Sequence, residues 1–233
     1  MIRVALIDSG VARQHAARVV AARAFRLQGQ TDAQRSAGNP RAPALVTEDG
    51  LEAVTAGALA HGPALAEVLL REPLVALIVA RVFEARLVTS AAQLAAALDF
   101  AAEQGAALAS VSAGLREDRE LLRSAVARAQ VRGVRIVAAA PARGARVYPA
   151  AYAQVVRATG DARCAPGEHS WLASAQADFG AHVHAGPVQG ASAGCAYIAA
   201  KLASLLGAGA THERALAQLR ESAHYLGPER RRR

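Results

Sequence analysis

Three side chains that could act together lie far apart in this sequence, each beside a glycine. Asp8 lies in Ala5-Leu6-Ile7-Asp8-Ser9-Gly10, His61 in His61-Gly62-Pro63, and Ser192 in Gly190-Ala191-Ser192-Ala193-Gly194. A carboxylate, an imidazole and a hydroxyl form the set that turns a serine into a nucleophile. The imidazole takes the hydroxyl proton, and the carboxylate orients the ring and stabilises its charged form. Taken singly, each residue has a plainer explanation. An Asx turn after a strand accounts for Asp8, a surface histidine opening a helix accounts for His61, and a helix cap accounts for Ser192. Capping does not explain why Gly190, Ala191, Ala193 and Gly194 are all small. Small neighbours let another backbone approach closely. A serine at a helix N-terminus also sits among free backbone N–H groups that can bind a developing oxyanion.

The elements that must position these residues follow from the apolar pattern. Residues 4–7 form a short apolar run ending at Asp8, read as a buried parallel strand with the carboxylate at its C-terminal end. Further strands are expected over 19–25, 74–82, 107–112 and 134–139, and helices over 60–71, 91–104 and 118–132. Residues 28–50 are polar and turn-rich and read as a surface loop. Ser192 leads into an apolar helix through Leu206. Strands alternating with helices predict a three-layer α/β/α domain around a mostly parallel twisted sheet, with sites beyond the strand C-termini. Asp8 and Ser112 fall at such ends. Residues 1–226 are expected to form one domain, followed by a basic tail over 227–233.

Composition narrows the function classes. The 233 residues carry a formal net charge of +8, and half of that excess comes from Arg230, Arg231, Arg232 and Arg233. The other basic residues are dispersed, without interleaved aromatics, so no nucleic-acid partner is expected. The tail reads as a solvated end, and the sharper alternative is a docking arm for an acidic partner. No apolar stretch is long enough to span a bilayer, so no membrane partner is expected. With no positively charged leader before the first strand-like run, no secretory signal is expected. With only Cys164 and Cys195, widely separated, this predicts free thiols and a cytoplasmic location. Cys195 reads as a small buried helix residue. His182 and His184 alternate on a presumed strand and face one way, but no third ligand accompanies them. No metal and no cofactor are expected.

The motifs resemble those of subtilisin-like serine peptidases. Residues 3–11 resemble that family's Asp motif, His61-Gly62-Pro63-Ala64-Leu65-Ala66 its His-Gly-Thr-x-Val-Ala motif, and residues 190–196 its Gly-Thr-Ser-x-Ala-x-Pro motif. The order Asp, His, Ser is also the order of that family. Residues 104–114, ending Ser112-Ala113-Gly114, resemble the strand that pairs with substrate. Residues 132–140 resemble the strand leading to the oxyanion asparagine, and Tyr148-Pro149-Ala150 with 155–158 resemble the next loop and strand. The resemblance therefore covers nearly the whole chain. It implies Ser192 as nucleophile, His61 as general base and then acid, and Asp8 as its orienting partner. It implies that Ser112, Ala113 and Gly114 pair with an extended substrate. The departures are specific. Pro141-Ala142 stands where the family has Gly-Asn, leaving the Ser192 backbone N–H as the remaining oxyanion donor. Ala191 replaces Thr, Ala196 replaces Pro, and Pro63 replaces Thr.

Two readings of different class follow. One is a serine endopeptidase specialised for removing a leader segment from a precursor peptide or protein, with a peptide-modifying enzyme as a further partner. The other is a pseudopeptidase that binds an extended peptide without cutting it. A small-molecule hydrolase is a weaker third. Gly190 and Gly194 flank Ser192 with Gly-x-Ser-x-Gly spacing, but the acid and the histidine come in the wrong chain order.

Overall fold

The computed structural model describes residues 1–28, 44–55, 57 and 59–229. The first half of the chain forms β1 (Ile2–Asp8), β2 (Val19–Gln28), β3 (Ala44–Asp49), α1 (Leu51–Thr55), α2 (His61–Leu70), β4 (Val75–Arg81), α3 (Ala91–Glu103), β5 (Leu108–Val111) and α4 (Glu120–Val131). The second half forms β6 (Arg135–Ala139), β7 (Val156–Gly160), β8 (His169–Trp171), β9 (Phe179–Ala181), β10 (His184–Ala185) and β11 (Val188–Gln189). It closes with α5 (Ala191–Gly207), α6 (His212–Glu221) and β12 (Tyr225–Leu226). Ten strands form one sheet in the order β12-β8-β9-β7-β6-β5-β1-β4-β2-β3. From β9 to β2 every neighbouring pair is parallel, and β3 and β8 join antiparallel.

The two-residue alternation of the central strands sorts their side chains onto two faces. Val4, Leu6, Leu77, Val79, Leu108 and Val137 face one core, which α2, α5 and α6 cover. Ala5, Ile7, Ile78, Ala80, Ala109 and Ile136 face the other, covered by α3 and α4. This is the expected three-layer α/β/α arrangement. Leu6, Ile7, Leu65, Leu69 and Ile198 are among the largest fully buried side chains. Each such burial contributes roughly 1.5–3 kcal/mol.

The predicted helices and strands lie where the apolar pattern put them, with ends shifted by at most three residues. One expectation about the sheet is corrected. Residues 44–49, read as loop, form β3, paired with β2 from Arg23↔Asp49 to Gln28↔Ala44. Every β3 residue is exposed, so the strand carries no buried apolar face for a pattern to reveal. The pairing and the ion pairs Arg23–Asp49 and Arg26–Glu48 hold it instead. The rest of the expected loop, 29–43, lies outside the described residues, as do Arg230 to Arg233.

Two contacts position α5 and α6. An ideal Cβ on Gly194 would lie 1.9 Å from the Thr159 carbonyl oxygen, so only glycine lets α5 cross β7 at this distance. His169, buried in β8, donates from Nε2 to the Leu219 carbonyl at 2.7 Å and ties down the end of α6. Burial pushes the His169 pKa below 6.5, partly opposed by that hydrogen bond.

Gly194→Ala is expected to destabilise the protein by about 1–3 kcal/mol in urea unfolding, the usual range for an overpacked site. Helix propensity alone would favour alanine by up to about 1 kcal/mol, so a stabilised variant would refute the contact argument. A second expectation concerns acid. Unfolded His169 takes up a proton near 6.5, while the folded residue resists it. Stability should therefore be greatest above 6.5 and fall as pH drops through the window below it. The stability difference between wild type and His169→Gln should shrink over that window. A difference that stays constant from about pH 8 to pH 5 would count against it.

Candidate functional site

Asp8 ends β1 and is completely buried. A carboxylate without water must be satisfied by the protein. The Ser9 backbone N–H donates to Asp8 Oδ1 at 2.7 Å, and His61 Nδ1 lies 2.9 Å from Oδ1 and 3.0 Å from Oδ2. His61 is the first residue of α2, with 15% of its side chain exposed. Its Nδ1–H is engaged by the carboxylate, which leaves Nε2 as the proton acceptor on the open side.

Backbone crowding fixes this pair. A Cβ on Gly62 would lie 2.2 Å from the Gly10 carbonyl oxygen, and one on Gly10 would lie 2.0 Å from the Val54 oxygen. Gly10 also has a φ of +101°, in the left-handed region that favours glycine. The Gly62 N–H donates to Ser9 Oγ at 2.8 Å, satisfying a free amide at the start of α2. The sequence reading did not give Ser9 this role, although its place inside the Asp8 motif carried the signal.

Ser192 is the second residue of α5, after Gly190 at φ +74°. The first main-chain bond of the helix runs from the Gly194 N–H to the Gly190 carbonyl at 3.0 Å. The N–H groups of Ala191, Ser192 and Ala193 thus have no intrahelical acceptor. One turn on, the Cys195 thiol lies under the ends of β5 and β6. It is 3.7 Å from Ser110 Oγ, 3.5 Å from the Val137 carbonyl and 3.8 Å from the Val111 carbonyl. Burial pushes this thiol up to about 12, with the Asp8 charge adding to the shift. Val111 pairs with Ile7, the neighbour of Asp8, and α5 shares one core with α2, so the first turns of α5 lie near the end of β1. Among the described residues no hydrogen bond joins Ser192 Oγ to His61. Such bonds are commonly long without substrate and tighten when it binds.

The other anticipated residues fall around this centre. Ser112 and Ala113 are buried and Gly114 is exposed, directly after β5. Among the described residues their backbone groups have no main-chain partners, and Ser112 Oγ is buried without a hydrogen bond. A Cβ on Gly114 would lie 2.8 Å from Val147 Cγ2, and Leu115 pairs with Tyr148 on both sides at 2.8 Å. Ala142 lies in an exposed turn after β6, and its methyl group can donate nothing to an oxyanion. His182 and His184 do not share a strand. His184 belongs to the β10–β11 hairpin, while His182 precedes it and bonds through Nδ1 with the Cys164 carbonyl at 2.9 Å. Their rings are 5.8 Å apart.

Arg81 was not anticipated. It stands beside Asp8 in the β1–β4 register, is buried, and donates to the Ala53 and Phe83 carbonyls at 2.9 and 3.1 Å. An arginine ending the otherwise apolar run of β4 was the available signal. It anchors α1, from which the chain continues toward His61. Arg163 likewise grips buried Asp161, which also accepts from Ser170 at 2.6 Å. Burial acts to raise the Asp161 pKa, but the Arg163 and Ser170 contacts outweigh it and hold it below the usual range.

No family model and no curated protein matches the chain. Solved structures do. The S41 psychrophilic protease aligns with a TM-score of 0.63 at 19% identity, over 94% of this chain and 82% of that one. The prenylagaramide maturation protease PagA aligns at 0.57 and 15%, over 95% and 79%. The nisin leader peptidase NisP from Lactococcus lactis aligns at 0.58 and 14%, over 93% and 81%. The fold of this chain is the subtilisin-like one.

Both cysteines are buried and free, and burial raises the Cys164 thiol to about 11. Thiolate is the reactive species, so neither should react with iodoacetamide at neutral pH while the protein is folded. Mass spectrometry after brief treatment should find no adduct natively and two in urea. Rapid native alkylation of Cys195 would contradict its placement.

Proposed function

We propose that this protein is a serine endopeptidase in which Asp8, His61 and Ser192 form the triad. Residues 1–226 act as the peptidase domain and 227–233 as a basic tail. The carrying observation is the geometry of the Asp8–His61 pair, with both carboxylate oxygens within 3.0 Å of Nδ1. That contact selects the tautomer in which Nε2 can accept the Ser192 proton. Attack of Ser192 Oγ on a peptide carbonyl would give a tetrahedral intermediate. Its oxyanion would be held by the Ser192 N–H at the start of α5. His61 would then protonate the leaving amine, and water would release the acyl group by the reverse exchange. Ser112, Ala113 and Gly114 would hold the substrate as an added strand through their unpaired backbone groups.

The substrate class follows from two features. Ala142 removes the side-chain oxyanion donor, which suits one dedicated cleavage better than broad digestion. PagA is a maturation protease and NisP a leader peptidase, and both share the fold. A precursor peptide or protein is therefore the proposed substrate, delivered in the cytoplasm, with a peptide-modifying enzyme as a further partner. On this reading the protein would be similar to the subtilisin-like enzyme that processes the small subunit of quinohemoprotein amine dehydrogenase. The second reading, a peptide-binding pseudopeptidase, draws on Ala142 and on the missing Ser192–His61 bond.

A fluorophosphonate probe separates the two. Ser192 should be labelled at neutral pH, with labelling abolished in Ser192→Ala and slowed roughly 10⁴-fold in Asp8→Asn, which removes the orienting charge. Absence of labelling in folded wild type would leave the binding reading. In the labelled case, Ala142→Asn should raise the cleavage rate, up to the roughly 10²–10³-fold attributed to that donor in subtilisin.

A further inference from the structure

A cleft of about 560 Å³ lies between the 146–157 segment, the 171–179 segment and α6. None of Asp8, His61 and Ser192 lines it. It meets the Ser112–Gly114 path at Val147, which lines the cleft and touches the Gly114 position. Its volume falls within the range of roughly 300–1,000 Å³ usual for ligand sites.

Three features of the walls define an occupant. Trp171, Phe179, Val156 and Leu216 give an apolar floor. Four arginines but only two acids line the cleft. Asp178 pairs with Arg157 and Glu213 with Arg135, while Arg146 and Arg220 are exposed and have no carboxylate within 4.0 Å among the described residues. Two buried polar atoms in the lining also lack partners, the donor Arg135 Nε and the acceptor Gln176 Oε1. An orphan donor with an orphan acceptor is the complement of a peptide group, which supplies one C=O and one N–H. A phosphate or carboxylate would satisfy only the arginine.

We infer that this cleft is a docking site for an extended peptide segment that alternates apolar and acidic side chains. The apolar side chains would cover the floor around Trp171. The carboxylates would meet Arg146 and Arg220, and the backbone would pair with Arg135 Nε–H and Gln176 Oε1. That the segment belongs to the substrate rests on the peptidase reading; that the cleft binds it does not.

Trp171 is the single tryptophan of the chain, so its fluorescence reports on this cleft. The Ser192→Ala protein would be titrated with a short capped peptide alternating Glu and Leu, and with its Lys-Leu counterpart. A saturable change in Trp171 emission is expected for Glu-Leu only, weakening with added salt. The exposed double variant Arg146→Glu/Arg220→Glu should bind at least about tenfold more weakly, from two lost charge contacts. An unchanged Trp171 signal, equal binding of Lys-Leu, or unaltered affinity in the double variant would overturn the inference. A Glu-Leu response in a protein that no fluorophosphonate labels would remove the peptidase reading and leave the docking site standing.

Discussion

A buried carboxylate sets the terms for this structure. Asp8 has no contact with water, and an unpaired charge in that position would cost several kcal/mol. It is kept by the Ser9 N–H and the His61 ring, and the ring can reach it only if α2 begins directly on the turn after β1. That requires backbone to lie on backbone, which the glycines at 10 and 62 permit. Once α2 starts there, Leu65, Val68 and Leu69 fall onto the sheet face that carries Val4 and Leu6. α5 packs beside it over the same face, with its own backbone contact at Gly194 and Thr159. The relative position of His61 and Ser192 is thus a consequence of two glycine crossings and one shared core.

Elements with a strong period were legible in the sequence. β1, β4 and β6 are runs of buried aliphatic residues, and α3 and α4 carry one apolar face each, so length and pattern agree. Asp8, His61 and Ser192 could be picked out because each needs small neighbours where chain segments cross, and glycine marks such crossings. β3 was illegible because none of its residues is buried, so pairing alone defines it. The hairpin of β10 and β11 was hidden for a related reason. Its strands have two residues each, too short for any alternation. The cleft beside Trp171 could not be read at all, since its walls come from segments distant in sequence and its polar atoms matter only through what they lack.

One departure from the subtilisin-like motifs, at Ala142, removes a side-chain donor. The Asp8–His61 contact and the small residues around Ser192 have the form that the proposed triad would require. The change at Ala142 lies in an exposed turn, where substitution costs the fold little. In the proposed mechanism, nucleophile activation and oxyanion stabilisation would then be under separate control. Losing a side-chain donor raises the barrier by roughly 3–4 kcal/mol without touching the groups that position the proton.

A barrier raised in this way can be offset by binding. Contacts far from the scissile bond raise the rate when they hold the reacting carbonyl in place, because that ordering would otherwise be lost during attack. A substrate gripped along Ser112–Gly114 alone has few such contacts. One that also reached past Val147 into the Trp171 cleft would be held at two places joined by a short stretch of chain, and the second contact would form at high effective concentration. A weak oxyanion site together with a remote docking site would then act as one specificity device. Peptides lacking the docking segment would meet the uncompensated barrier, and peptides carrying it would not. The chemistry at Ser192 would in this way be reserved for a substrate recognised elsewhere on the molecule.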